Sequence, residues 1–260
     1  MEGKNLVLAI SLSALVLIMW SIFFAPPPPT IDKEQNKIEK TQKKNDISSP
    51  SLETTKKIKA ISRVESLKTT KRISVENESI SGSISLTGGI IDDIIFKNYN
   101  QNLNSEKKVI LLSPNGLNEG YYIETGWAST YKDMDLPNNK TEWSVIGNSK
   151  LTPNNPVTLK WTNDKQITFI KTIELDEKFL FKINQQIKNN GNNNYDFYPY
   201  AQIVRNNKPK VLGYYILHEG FIGVFDEELK EEDYKDIEEK KFTANSSSGW
   251  LGIKIGRAHV

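Results

Sequence analysis

Few residues in this chain combine a reactive side chain with a spacing that catalysis would need. Two histidines are present, His218 and His259, and there is no cysteine. His218 lies in an aromatic stretch, residues 214–220, where an alternating strand would place it beside packed rings. One histidine in the body of the chain cannot assemble the common zinc sets. The missing thiols exclude a disulfide framework, a thiolate metal site and a cysteine nucleophile.

Serines and carboxylates give no specific signal either. No serine lies in a G-x-S-x-G elbow, and the Ser-Ser-Ser-Gly segment at residues 246–249 is typical of a flexible loop. Residues 226–241 hold nine carboxylates and four lysines without the D-x-D-x-D-G spacing of a calcium loop. We interpret them as a solvated face, on a poorly amphipathic helix or an exposed loop. Carboxylate pairs for sugar hydrolysis stay open, because the sequence does not reveal their separations. We assign no catalytic, cofactor-binding or metal-binding residue and expect that the chain is not an enzyme.

Two short motifs have structural explanations. Gly88-Gly89 is not followed by the helix and the Lys-Ser or Lys-Thr pair of a phosphate-binding loop, so it indicates a turn. Asn77, Asn139 and Asn245 each begin an N-x-S/T triplet. Such triplets arise often by chance in a chain rich in asparagine and serine, and they indicate no chemistry here.

The element that must position the rest is an apolar stretch that begins at Leu6 and ends at Ala25. It runs for 20 residues without a charge. A helix rises about 1.5 Å per residue, so this stretch covers roughly the 30 Å of a bilayer core. A cleaved signal peptide is the alternative, but Phe23 and Pro26 fit a cleavage site poorly. We predict a transmembrane helix at residues 6–25 that contacts the lipid bilayer, after a short N-terminus at residues 1–5.

A polar tether is predicted at residues 26–71. Its four leading prolines end the helix, and the following composition cannot bury enough apolar surface to fold. Residues 30–72 carry 12 basic and 6 acidic side chains, which suits either contact with anionic head groups or a soluble spacer. The whole chain has a formal charge of only +2, so it lacks the excess of basic residues that is typical of nucleic-acid-binding proteins.

From residue 72 onward the apolar residues recur with a period of two. Ile73 and Val75 alternate with polar residues, and Ile80 and Ile84 follow after a turn. Short apolar stretches then alternate with turn residues, which predicts further strands at residues 109–112, 121–127, 143–146, 195–204 and 212–225. This pattern predicts an all-β sandwich over residues 72–253.

The clearest pair of strands is a hairpin at residues 167–187. Ile167, Phe169, Ile173 and Leu175 share one face, and residues 176–178 make the bend. The next strand then carries a matching apolar face, made of Phe179, Phe181, Ile183 and Ile187. One side of this hairpin is expected to lie on a core and the other in water.

A series of segments stands out when the chain is considered from end to end. They are Asn5-Leu6-Val7, Met19-Trp20 in the predicted span, the polar tether, ISVENESISGSISLTGGIIDDIIFKNY at residues 73–99, LLSP at 111–114, Trp161-Thr162, KTIELDEKFLFKINQQIKNN at 171–190 and SGWLG at 248–252. In these segments and their order the chain resembles YidC, a family of bacterial membrane protein insertases. No single segment is strongly specific, but their order and spacing are. Residues 254–260 match nothing expected of the family, and we interpret them as the tail of a truncated or misjoined fragment.

The resemblance implies an anchor in the bacterial inner membrane with a cytoplasmic N-terminus. It also implies a periplasmic domain with a β-supersandwich fold similar to that of sugar mutarotases. Insertion of nascent membrane proteins would be performed by a later core of five transmembrane helices, and this region would supply an anchor and a platform beside the Sec translocon. The rival hypothesis is a membrane-anchored sugar-binding or mutarotase-like protein, because a shared fold does not fix function.

Overall fold

A computed structural model describes Met19 and residues 62–208 and 218–254 of the chain. The chain divides into two compact units, Met1–Lys44 and Asn45–Val260. Of the first unit only Met19 is described, in a helical conformation. The predicted span therefore lies outside the described residues apart from Met19, as do most of the tether and the last six residues. No helix within the described ranges has both the length and the apolarity to cross a membrane.

The second unit consists mainly of strands, which confirms the all-β prediction for its described part. Two short helices and fourteen strands are described there. In chain order they are α1 (Arg63–Leu67), β1 (Arg72–Glu76), β2 (Ile80–Ser85), β3 (Ile90–Asn100), β4 (Lys108–Leu112), β5 (Tyr121–Ser129), β6 (Ser144–Ile146), β7 (Lys150–Leu151), β8 (Val157–Thr162), β9 (Ile167–Leu175), β10 (Phe181–Asn189), β11 (Phe197–Arg205), β12 (Gly220–Phe225), β13 (Glu228–Asp233), α2 (Tyr234–Glu239) and β14 (Gly249–Lys254).

These strands form three sheets. The large sheet has the order β11-β5-β3-β2-β1-β7, with β4 also paired to β3. The second sheet has the order β10-β9-β8-β6, and the third has the order β13-β12-β14. The pairs are antiparallel except for β1 with β7, which is parallel. Hairpin connections therefore dominate the topology, as short strands separated by turn residues require.

One hydrophobic core joins the large sheet to the second sheet. Phe169 of β9 is fully buried, and its ring lies 5.1 Å from that of Trp127 on β5 and 5.6 Å from that of Phe197 on β11. The alternating residues predicted to face inward on β1 and β2 are buried in the same cluster. Burying an aromatic or aliphatic side chain of this size stabilises the fold by about 1.5–3 kcal/mol.

The predicted hairpin of β9 and β10 is confirmed, but its bend is longer than expected. Leu175 pairs with Phe181, so residues 176–180 form the connection. The Asp176 carboxylate accepts hydrogen bonds from the backbone N–H groups of Lys178 and Leu180 at 2.9 and 2.8 Å, which extends the turn. The prediction that Phe179 lies on the second strand is therefore wrong. Its half-exposed ring lies in the bend and contacts Phe96 edge-on at 5.6 Å.

The Gly88-Gly89 turn is confirmed between β2 and β3. Gly88 has a φ of +78° and Gly89 a φ of +61°, in the left-handed region that glycine adopts at no steric cost. A side chain at Gly89 would also meet the indole nitrogen of Trp143 at 3.1 Å. Backbone conformation and space thus both explain the glycine pair.

The end of the expected tether differs from the prediction, because residues 62–71 are ordered on the large sheet. Ser62 and Glu65 form a capping box that starts α1. The Arg63 guanidinium forms an ion pair with Asp93, a buried residue of β3 that also accepts a 2.6 Å hydrogen bond from Ser83. The cap and the ion pair supply the stabilisation that the tether's composition lacks.

Asn77 connects the turns of two different sheets. Its side-chain oxygen accepts hydrogen bonds from the backbone N–H groups of Ser79 and Ile80 at 2.8 and 2.7 Å. Its side-chain nitrogen donates to the carbonyls of Asp176 and Lys178, in the β9–β10 bend, at 2.8 and 2.9 Å. Only 8% of Asn77 is exposed, so the N-x-S triplet that it begins has a structural role in the folded domain.

Replacing Asn77 with alanine is expected to lower the free energy of unfolding by about 3 kcal/mol, because four hydrogen bonds are lost and two carbonyls lose a donor. Urea denaturation of the full chain in detergent measures this change. Asn102→Ala, at an exposed position of the β3–β4 loop, is the control and should change stability by less than about 0.5 kcal/mol. Equal effects of the two substitutions would contradict a connecting role for Asn77.

Candidate functional site

The third sheet brings together most features that stand out in the second half of the sequence. We call residues 218–254 the terminal sheet; they comprise β12, β13, α2 and β14. His218 precedes β12, the acidic run forms β13 and α2, and the serine segment leads into β14. None of these residues belongs to the core that joins the other two sheets. The terminal sheet is therefore a surface feature of the domain.

The acidic run is neither a single poorly amphipathic helix nor a loop, and that prediction is wrong. Asp226 and Glu227 make a tight turn with φ of 49° and 72°, so that β13 folds back antiparallel to β12. Val224 of β12 pairs with Leu229 of β13, and this hairpin fixes the extended conformation. Helix begins only at Tyr234, after Asp233. Pairing with a neighbouring strand overrides the weak local preference of these residues.

The serine segment is organised by the same turn. The Asp226 carboxylate accepts hydrogen bonds from the backbone N–H of Ser247 at 3.0 Å, from its hydroxyl at 2.8 Å and from the N–H of Ser248 at 3.2 Å. These bonds stabilise the charged carboxylate and lower the pKa of Asp226. The segment expected to be a flexible loop is thus held at the start of β14.

Both ring nitrogens of His218 lie close to oxygen atoms of the terminal sheet. Its Nδ1 lies 2.9 Å from a carboxylate oxygen of Asp233, and its Nε2 lies 3.2 Å from the carbonyl oxygen of Phe221. It stands before β12 rather than within an alternating strand. Both nitrogens are engaged within the sheet, so this arrangement holds β12 against the end of β13 and leaves no nitrogen directed at a ligand.

The carboxylates of the terminal sheet border a shallow cavity of about 340 Å³. Its lining consists of Glu232, Asp236, Glu239, Lys240, Lys241 and Phe242. Two ammonium groups among three carboxylates reduce the attraction for a divalent cation. No group of three or more His, Asp or Glu side chains with the geometry to hold a metal is found in the described ranges.

Large apolar side chains are exposed on both edge strands of the terminal sheet. Trp250 and Leu251 on β14 are 54% and 60% exposed, and Leu229 on β13 is 56% exposed. Trp250 and Leu229 pair with Val224 from opposite sides, so these three form an apolar row across the sheet. The arrangement can bind another surface through apolar contact, with carboxylates along one edge.

The sandwich also contains a deeply buried lysine, Lys171, which the sequence interpretation missed. It lies on β9 in phase with Phe169 and Ile173, and only 1% of it is exposed. Its ammonium group donates a 2.6 Å hydrogen bond to the carbonyl of Thr125 on β5 and lies 4.8 Å from the ring centre of Trp143. The sequence did contain a sign of this site, because Lys171 occupies a position in β9 where the alternation calls for an apolar residue. Its side chain links the two sheets from within the core.

Burial lowers the pKa of Lys171 from 10.5 to about 8, and the negative charge of Glu124 offsets part of this shift. Below pH 8 the ammonium is charged in the folded and the unfolded chain alike. Between pH 8 and 10.5 the unfolded chain holds this proton while the folded chain has released it. Stability therefore rises with pH across this window.

The free energy of unfolding is expected to rise by up to about 2 kcal/mol between pH 8 and 9.5. Lys171→Met should remove this rise, because it deletes the titrating group and keeps most of the packing volume. Urea titrations at three pH values measure both chains. The range stops at 9.5 because burial raises the pKa values of Tyr121 and Tyr122, which makes stability fall at higher pH. Parallel pH profiles for the two chains would contradict the assignment.

Comparisons with known proteins identify the family of this chain. The family model of the YidC periplasmic domain matches residues 72–254, which include the sandwich and the terminal sheet. The membrane protein insertase YidC of Pelagibacter ubique (strain HTCC1062) is 50% identical to the chain over 256 residues, which cover 97% of this chain and 45% of the relative.

More distant relatives carry the same name. The membrane protein insertase YidC of Bradyrhizobium diazoefficiens is 35% identical over 274 residues, and that of Sinorhizobium fredii is 35% identical over 264 residues. Each alignment covers 97% of this chain and 44% of the relative. The chain thus spans less than half the length of these curated relatives.

A family model that matches 72–254 and a 50% identity along nearly the whole chain show that this protein belongs to the YidC family of membrane protein insertases, of which it contains the periplasmic-domain region.

Proposed function

We propose that this chain assists the insertion of membrane proteins by providing an anchor in the inner membrane and a periplasmic platform. The observation that carries the proposal is the 50% identity to an insertase over 256 residues. In the family resemblance, five later spans form the hydrated path that lowers the cost of moving polar groups into hydrocarbon. The residues described here would hold and present partners beside that path.

The proposed organisation follows the sequence prediction. Residues 6–25 span the inner membrane after a cytoplasmic segment at 1–5, the chain from residue 26 leads away from it as far as α1, and residues 72–253 fold in the periplasm as a β-supersandwich. The basic residues beyond the prolines would favour the reverse orientation by the positive-inside rule. The family orientation is preferred, because long domains translocate largely regardless of charge.

The rival sugar-binding or mutarotase-like function receives no support from the histidine. Acid–base transfer on a sugar needs a histidine and a carboxylate that face one another across a cleft. His218 instead contacts Asp233 directly and uses its second nitrogen on the backbone. Within the described residues the insertase-related function is therefore the better proposal.

A chimera tests the proposed function. Residues 1–254 of this chain replace the aligned part of the Pelagibacter ubique insertase, in cells depleted of their own insertase. Growth should be restored, and alkaline phosphatase fused after Lys254 should be active, because that position lies in the periplasm. The control lacks residues 6–25 and should fail in both assays. A stable, membrane-integrated chimera that does not support growth would overturn the function, and an inactive phosphatase would overturn the orientation.

Contact with Sec translocon components is proposed at the acidic run, since Glu228, Glu231 and Asp233 are exposed on an edge strand and Glu232 is partly exposed there. Changing three of them to glutamine keeps the strand and removes its charge. Photo-crosslinks from the terminal sheet to Sec components should fall at least about threefold if charge pairing contributes to this contact. The altered residues are Glu228, Glu231 and Glu232; the matched control changes Glu142, Glu174 and Glu177. An unchanged crosslink yield would count against this surface.

A further inference from the structure

The two edges of the terminal sheet differ in a way that concerns binding. The β13 edge carries Glu228, Glu231, Glu232 and Asp233, and charged side chains on an edge strand discourage pairing with another strand. The β14 edge reads Gly-Trp-Leu-Gly-Ile before its first charge at Lys254. No other strand in the described ranges pairs with β14 on that side. One edge is therefore protected and the other is open.

We propose that the open edge of β14 binds an extended, basic polypeptide segment by adding it as a fourth strand. A peptide that pairs with this edge gains backbone hydrogen bonds along β14, which is the general basis of β-strand addition. Its side chains alternate between the two faces of the sheet and meet Trp250 on one face and Leu251 on the other. These two exposed side chains supply the apolar contact.

The charge of the terminal sheet indicates what kind of segment would bind to its open edge. Residues 218–254 contain ten carboxylates and five lysines, so the terminal sheet has a net negative charge. A second copy of the chain would bring the same charge to the interface, and an anionic lipid surface would also be repelled. The nearest acidic strand lies about 10 Å from β14, two strand spacings away, so its field attracts basic segments chiefly at low salt.

The packing of the terminal sheet supports an edge site rather than a face site. The ring of Phe221 contacts Tyr234 of α2, and that of Phe225 contacts Phe242, so one face of β12 is partly covered. Leu251 lies at the border of this covered face and stays largely exposed. The opposite face carries the apolar row of Trp250, Val224 and Leu229, so the strip along β14 is where an added strand would meet exposed apolar side chains on both faces. This inference does not depend on the proposed insertase function.

The test uses the full chain in detergent and a fluorescent octapeptide that alternates lysine and valine. Anisotropy should show saturable binding that weakens as salt is raised, because the attraction is screened. A peptide that alternates glutamate and valine should bind about tenfold more weakly. Equal binding of the two peptides would overturn the charge argument.

Two matched substitutions locate the site. Leu251→Lys places a charge on the open edge and should weaken binding of the lysine–valine peptide about tenfold. Leu229→Lys makes the same change at a similarly exposed position on the opposite edge and should weaken binding less than twofold. Thermal unfolding of both variants checks the fold. Equal losses, or no loss, would overturn the assignment to β14.

Two further measurements identify the alternative occupants. A dimer in sedimentation velocity that Leu251→Lys abolishes would show that a second copy occupies the edge. Quenching of Trp250 fluorescence by brominated lipids in nanodiscs, taken as the difference from Trp250→Phe, would show that the edge lies on the bilayer. Either result would overturn the proposal, and a monomer without quenching supports it.

Discussion

The sandwich depends on burying one face of β9 against the large sheet. Phe169 on that face contacts rings from β5 and β11, so a single side chain holds strands that are far apart in sequence. Lys171 lies two residues away on the same face and reaches the carbonyl of Thr125. A buried cation is costly unless its donors find acceptors, so the backbone of β5 must stay where it is. Apolar contact brings the sheets together, and the lysine restricts how they can slide.

The local part of this architecture could be predicted from the sequence, because it follows from alternation and turn residues. The β9–β10 hairpin, the Gly88-Gly89 turn and the all-β class all depend on neighbours in the chain. Which sheet each strand joins depends on pairing across long separations, and no local pattern encodes it. The acidic run illustrates this limit: its residues have no strand preference, yet pairing with β12 holds six of the sixteen in a strand. The order of residues 62–71 likewise depends on Asp93, thirty residues away from its partner.

In the candidate site, too, the individual segments could be identified from the sequence, but their assembly in space could not. Its members were visible as an isolated histidine, an acidic run, a serine segment and a Trp-Leu pair, but nothing in their spacing placed them together. Asp226 reaches Ser247, and His218 reaches Asp233, only because β12 lies between two other strands. None of these groups enters the core, so the terminal sheet can change its surface without disturbing the sandwich.

The docking of α1 has a mechanical consequence. Among the described residues, the N-terminal side of the domain begins with α1, whose Arg63 forms an ion pair with Asp93 on β3, nine residues before β1 begins at Arg72. A pull applied through the N-terminal side would load this ionic contact before it could load β1. Since α1 buries no side chain of its own, the ion pair would break before the core strands separate. Residues 62–71 would then be released and would lengthen the tether. Breaking the ion pair in this way would reduce the force that reaches the core strands.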